Sequence, residues 1–219
     1  MTASATCWRR LGTGRISRMI KVVNGVDLYD HINEYDVILI GVDLYYRMAN
    51  GIQLKVMLNH PHVFDRNLET KYADRDKLGS IIECKKESEP TFCLCFICDG
   101  NFRPDIQPEY VSYDALERCI RLVDKKYKGK KVACPLLGAS RFDGNGDRDK
   151  CLSILKGNSN NIDLTVYDYY QKSRHEEVTE VYYREQAVKL EDRDKYYGMV
   201  KERKRLAEER FKKNGHRRY

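Results

Sequence analysis

The sequence predicts an α/β protein: a three-layer fold with a mixed, mostly buried central sheet and a charged C-terminal helical extension. Three observations carry the prediction. Apolar runs of strand length alternate with segments of helical period between residues 20 and 170, two strands end in small-residue turns that reopen as helices, and charge gathers at the two ends of the chain. At 219 residues with 42% hydrophobic content, the chain can bury one sizeable core.

The elements follow in order. Met19 to Val23 opens a strand over 20–24, and the run DVILIGV makes 36–42 a buried strand. Ile52, Leu54, Val56, Met57 and Leu58 mark a helix over 50–60, a short helix covers 64–72, and His60-Pro61-His62 reads as a helix exit rather than a ligand pair. Strands are expected over 78–86 and 91–98. The helix over 110–127 is the clearest, because Leu116, Cys119, Ile120, Val123 and Tyr127 recur at three- and four-residue steps and Lys128-Gly129-Lys130 closes it. A strand over 130–137, a helix over 147–156 and a strand over 162–168 complete the domain.

Eight cysteines, at 7, 84, 93, 95, 98, 119, 134 and 151, fall mostly inside apolar runs such as TFCLCFIC and read as buried thiols of a reducing, cytoplasmic compartment. Cys95 and Cys98 are spaced as a metal pair but have no second Cys/His pair at zinc spacing, so neither a metal nor a cofactor is expected. No run is long and apolar enough to span a membrane, so the chain is read as soluble and without a membrane partner.

Residues 1–18 hold Arg9, Arg10, Arg15 and Arg18 and no acidic residue. They read as a transit-like peptide or as the product of an upstream start codon, outside a folded unit of 19–170. From 171 onward, 15 Lys/Arg face 10 Asp/Glu around a thin stripe of Val178, Val181 and Tyr182, which describes a charged helical appendage, 171–219. The segment between the two ends is near neutral, so any contact with nucleic acid or an acidic partner belongs to the basic C-terminal tail.

Two loops point to a ligand. The apolar run ending at Leu137 stops at Gly138-Ala139-Ser140-Arg141-Phe142-Asp143-Gly144-Asn145-Gly146 before a helix, and the strand ending at Val42 leads through six irregular residues to Ala49-Asn50-Gly51 before another. Glycines let backbone N–H groups approach a phosphate, and a helix start offers donors and a positive dipole end. Two such turns at the carboxyl ends of strands describe a crevice for a phosphate-bearing ligand. An ordinary glycine turn from strand to helix remains the alternative, since the Lys-Ser/Thr of a P-loop is missing.

With these elements placed, residues 20–170 resemble a divergent macro domain, the ADP-ribose-binding α/β module, and particularly its short phosphatase-like members. Val22-Val23-Asn24-Gly25-Val26-Asp27 is similar to the family's opening V-x-G-D-I, with one extra residue between glycine and aspartate. Asn50-Gly51-Ile52 with Pro61 resembles its glycine-rich helix start, Lys71-Tyr72 with Leu78-Gly79 its Y…LG, and Pro135 to Gly146 its second phosphate loop. The resemblance implies binding of ADP-ribose or a derivative, with hydrolysis of a terminal phosphate or removal of ADP-ribose from a modified macromolecule as the associated activities. It implies that Asp27 accepts from the adenine amino group and that Asn50, Gly51 and Ile52 donate near the diphosphate and distal ribose. Gly138, Ser140 and Arg141 then close the other side, with the Phe142 ring against the ribose. Asp43 departs from the pattern, standing where family members often carry a ribose-contacting Asn; an aspartate there either serves as the base or repels the phosphate. A non-catalytic protein that binds nucleic acid or a partner through its tail stays open as the alternative.

Overall fold

The computed structural model describes residues 20–48, 51–100, 109–140 and 144–169, together with Glu202 and Arg205. Asn50, Arg141, Phe142, the extension 1–18 and the rest of the appendage 171–219 lie outside the described residues.

Six strands, β1 (Lys21–Asn24), β2 (Val37–Asp43), β3 (Ile81–Cys84), β4 (Thr91–Cys98), β5 (Lys131–Pro135) and β6 (Asp163–Asp168), form one sheet in the order β1-β6-β5-β2-β4-β3. All neighbours are parallel except β3 and β4, which form an antiparallel hairpin. The mixed sheet is thus present as the sequence predicts. β2 and β4 read as unbroken apolar runs because both of their faces are covered. Ile38, Ile40, Val42, Phe92, Leu94 and Phe96 face one layer, made of the 3-10 helix Leu28–Glu34 and helices α1 (Gly51–Asn59) and α2 (Pro61–Leu68). Val37, Leu39, Cys93, Cys95 and Ile97 face the other, made of α3 (Tyr113–Lys126) and α4 (Arg148–Asn158). This is period-two alternation sorted into two cores.

Local chemistry sets the helix ends. Ser112 caps α3 by accepting from the Ala115 N–H at 3.2 Å, and Asp147 caps α4 by accepting from the Lys150 N–H at 2.7 Å. One sequence expectation needs correction here. His60-Pro61-His62 is the exit of α1, which ends at Asn59, but Pro61 at once opens α2, which runs Pro61–Leu68 rather than over 64–72. Proline suits that place because its fixed φ is helical and a first-turn N–H would have no partner. The 3-10 helix Leu28–Glu34 was not anticipated; Asp27 starts it by accepting from the Tyr29 N–H at 2.9 Å.

The seven described cysteines, 84, 93, 95, 98, 119, 134 and 151, are all buried thiols. Burial pushes the Cys84 thiol up to about 12, so it packs as a small apolar group. Among the described residues, no helix is long and apolar enough to cross a membrane.

One detail of the sheet positions the site. β5 pairs with β6 along its whole length, but with β2 only at Val37/Val132 and Ile38/Ala133. Beyond that point β2 continues to Asp43 in register with β4 alone, so the carboxyl ends of β2 and β5 are no longer bonded to each other.

Candidate functional site at the carboxyl edge of the sheet

Because β1, β2, β4, β5 and β6 run in one direction, the loops after all five emerge at the same edge. The two glycine loops leave from neighbouring strands there, on either side of the place where β2 and β5 stop pairing.

The first wall is the loop after β2. Leu44, Tyr46 and Met48 turn into the core, Tyr45 packs half-buried against its edge, and Arg47 is left toward solvent. Asp43 organises this loop. Its Oδ1 accepts from the backbone N–H groups of Tyr45 (2.7 Å) and Arg47 (3.2 Å), and its Oδ2 from Arg47 Nε (2.8 Å). Tyr46 sits at φ +60, a left-handed conformation unfavourable for a bulky residue. The loop leads to Gly51, which opens α1 at φ +52, and an added Cβ there would meet nothing within 4 Å. Gln53, buried in the first turn of α1, donates its side-chain amide to the Gly41 carbonyl and so ties the helix to the end of β2. Ile52 is half-buried against the same core.

The second wall is the loop between β5 and α4. Gly146 N donates to the Gly138 carbonyl and Asn145 N to the Ser140 carbonyl, both at 2.8 Å, closing the loop on itself. Tyr110 N and Val111 N both donate to the Gly144 carbonyl. The glycines have a packing role that the sequence did not disclose: an added Cβ at Gly138, Gly144 or Gly146 would fall 2.7, 2.6 or 2.5 Å from Val111. Tyr113 anchors the far end, its hydroxyl accepting from Asp147 N at 2.8 Å and donating to Glu109 at 2.7 Å. Burial, reinforced by the Glu109 carboxylate, pushes that phenol up to about 12.

At the β1 end, Gly25 N bonds the Asp168 carbonyl at 2.9 Å, and Asp27 uses its second oxygen to hold Lys55 of α1 at 2.5 Å. Asp168 itself is 6% exposed and is gripped by Nε and a terminal nitrogen of Arg148, the first residue of α4. The Arg148–Asp168 pair and Gln53 were missed in the sequence, since nothing in their spacing marks them. The structure therefore brings Asp27, Asp43, Gly51, Ile52, Gly138 and Ser140 to one edge. Among the described residues, no cluster of three His, Cys, Asp or Glu side chains could hold a metal.

No family model matches the sequence, and no curated protein does. Solved structures do match. A protein from Bacteroides thetaiotaomicron, 18% identical, covers 68% of this chain and 99% of its own at a TM-score of 0.57. The macrodomain of Thermus aquaticus DarG covers 68% of this chain and 98% of its own at 12% identity and a TM-score of 0.53. This chain has the macrodomain fold. The DarTG protein of Thermosipho africanus, solved in complex with ADP-ribose, shares it at 16% identity and a TM-score of 0.51 over 68% of this chain and 43% of its own. At these identities the likeness is one of fold, and in the macrodomain fold of this chain the two glycine loops flank the parting of β2 and β5.

Proposed function

We propose that the crevice between the carboxyl ends of β2 and β5 binds ADP-ribose or an ADP-ribose derivative. One observation carries the reading. β2 connects through α1 and α2 to β3 on one side of the sheet, and β5 through α4 to β6 on the other. Adjacent parallel strands whose connections leave in opposite directions open a crevice, and ligands of α/β sheets bind there. The first loop adds the N-terminus of α1, whose first-turn N–H groups and dipole favour a diphosphate. The solved complex of the Thermosipho protein with ADP-ribose supports the choice of ligand.

In this reading the first turn of α1 at Gly51 and Ile52, with Asn50, faces the diphosphate and distal ribose. Gly138, Ser140, Arg141 and Phe142 close the opposite wall, and Asp27 receives the adenine amino group on lone pairs not used by Tyr29 and Lys55. A hydrolytic step, on a terminal phosphate or on an ADP-ribosyl linkage, needs a base, and the Asp43 carboxylate is already engaged by three N–H donors of its own loop.

Calorimetric titration tests the reading. ADP-ribose is expected to bind one to one and more tightly than ADP or ribose 5-phosphate. Gly51→Val, which puts a branched side chain where a Cβ meets open space, is expected to weaken binding about ten-fold, roughly 1.4 kcal/mol. No saturable binding of ADP-ribose overturns it.

A further inference from the structure

We propose that Lys77 is a positioning residue of the crevice: its ammonium fixes the loop after β2 in the shape that receives the ligand. This rests on the ADP-ribose reading above. Lys77 is 9% exposed, at the end of the 3-10 turn Arg75–Lys77, and among the described residues it makes no ion pair. Its Nζ instead donates to the Leu44 carbonyl at 3.2 Å and to Thr70 Oγ1 at 3.1 Å. The same nitrogen stands 4.9 Å from the centre of the Tyr46 ring and 4.8 Å from that of Phe96. Two oxygens and two ring faces thus hold a cation beneath the loop.

What the cation holds is the wall of the crevice. Leu44 is the first residue after β2, and its carbonyl also accepts from Ala73 N at 2.9 Å. Tyr46, whose ring the ammonium faces, is the left-handed residue of the loop, and its hydroxyl donates to the Thr70 carbonyl. A bulky residue keeps φ +60 only where its surroundings over-determine it. The chain then runs on to Gly51, so the shape of 44–48 sets where the α1 N-terminus begins.

A buried ammonium is costly, and burial pulls Lys77 down to about 8 against the attraction of Asp43 at the end of β2 and Asp74 at the cap of the 3-10 turn. The other titratable group facing it, the Tyr46 phenol, is raised above its ordinary value by burial, which favours its neutral form. Loop shape therefore changes with the protonation of Lys77 between pH 7 and 9.5. Stability moves the opposite way. The unfolded chain keeps this proton to higher pH than the folded one, so losing it relieves the burial cost and stability rises as the pH passes 8. Falling affinity with rising stability is a pairing that general loosening does not produce.

The test follows ADP-ribose affinity by calorimetry at pH 7 and 9.5 in the wild type, Lys77→Met and Lys77→Arg, alongside backbone amide NMR shifts of Tyr45, Tyr46, Arg47 and Ala73. In the wild type, affinity is expected to fall about three-fold or more, which corresponds to a shift of about half a pKa unit on binding. The amide shifts should titrate with a midpoint near that of Lys77. Lys77→Met should be weak at both pH values, and Lys77→Arg, which keeps its charge, should bind with a flattened profile. A wild-type affinity that is flat, or a fall that Lys77→Met reproduces, overturns the proposal. If ADP-ribose does not bind at any pH, the functional reading fails, and the amide titration alone decides the role of Lys77.

Discussion

A methyl group added at Gly138 and one added at Gly51 meet different surroundings, although both positions looked alike as small-residue turns. Both residues have positive φ, so alanine costs about 1 kcal/mol at either for the left-handed backbone. At Gly138 the new Cβ also lies 2.7 Å from Val111, whose backbone is bonded to Gly144 of the same loop. Gly138→Ala is therefore expected to lose a further 1–3 kcal/mol or so from overpacking, and Gly51→Ala not to. Urea unfolding of the two variants checks this; equal losses would mean that Val111 yields freely. The glycines themselves were legible in the sequence. Their partner was not, because Val111 stands 27 residues from Gly138 and belongs to a different strand's connection. The same holds for Lys77 under Leu44 and Arg148 on Asp168, contacts made by the fold and unmarked by spacing.

Among the elements, α2 carries polar groups that its packing does not satisfy. Asn67 is fully buried, and neither of its side-chain polar atoms has a hydrogen-bond partner; both ring nitrogens of His62 are likewise buried and unpartnered. Leucine at 67 keeps a similar shape without the desolvated amide, so Asn67→Leu is expected to stabilise the protein by about 1–3 kcal/mol. A lower midpoint of unfolding would show that the amide has a partner. His62 adds a pH dependence. Burial holds its imidazole below the ordinary value of 6.5, so on acidification the unfolded chain binds a proton before the folded one does. Stability is expected to fall from pH 7 to 5.5 and to fall less in His62→Phe; identical profiles would remove His62 as the cause. The α2 start is not legible in the sequence because Pro61 both ends one helix and opens the next, with His60 alone between α1 and α2. β2, β4 and α3 were legible for the opposite reason: burial on both faces writes an apolar run, and burial on one writes a helical period.

For the whole molecule, the order β1-β6-β5-β2-β4-β3 fixes where the crevice opens, and charge decides what else the chain meets. From residue 201 onward nine Lys/Arg face three Asp/Glu, while the segment between the two charged ends is near neutral. Deleting 199–219 is expected to leave ADP-ribose affinity unchanged and to reduce salt-sensitive binding to nucleic acid, since lysine and arginine contacts to phosphates weaken as salt rises. Titration with an oligonucleotide at two salt concentrations checks it; equal, salt-independent binding by both chains would mean that the tail is no electrostatic arm. Alternation of strands and helices made the α/β class legible from the sequence. The parting of β2 from β5 was not, because it depends on which strands become neighbours. The central claim is that this parting is the ADP-ribose site, and its most direct measurement is the backbone amide NMR spectrum of the full chain titrated with ADP-ribose. Shifts are expected at the carboxyl edge, at Gly25 to Asp27, Tyr45 to Gln53 and Gly138 to Gly146, with His60, Glu89 and the start of β4 unmoved. No shifts, or shifts centred on that opposite edge, would contradict the account.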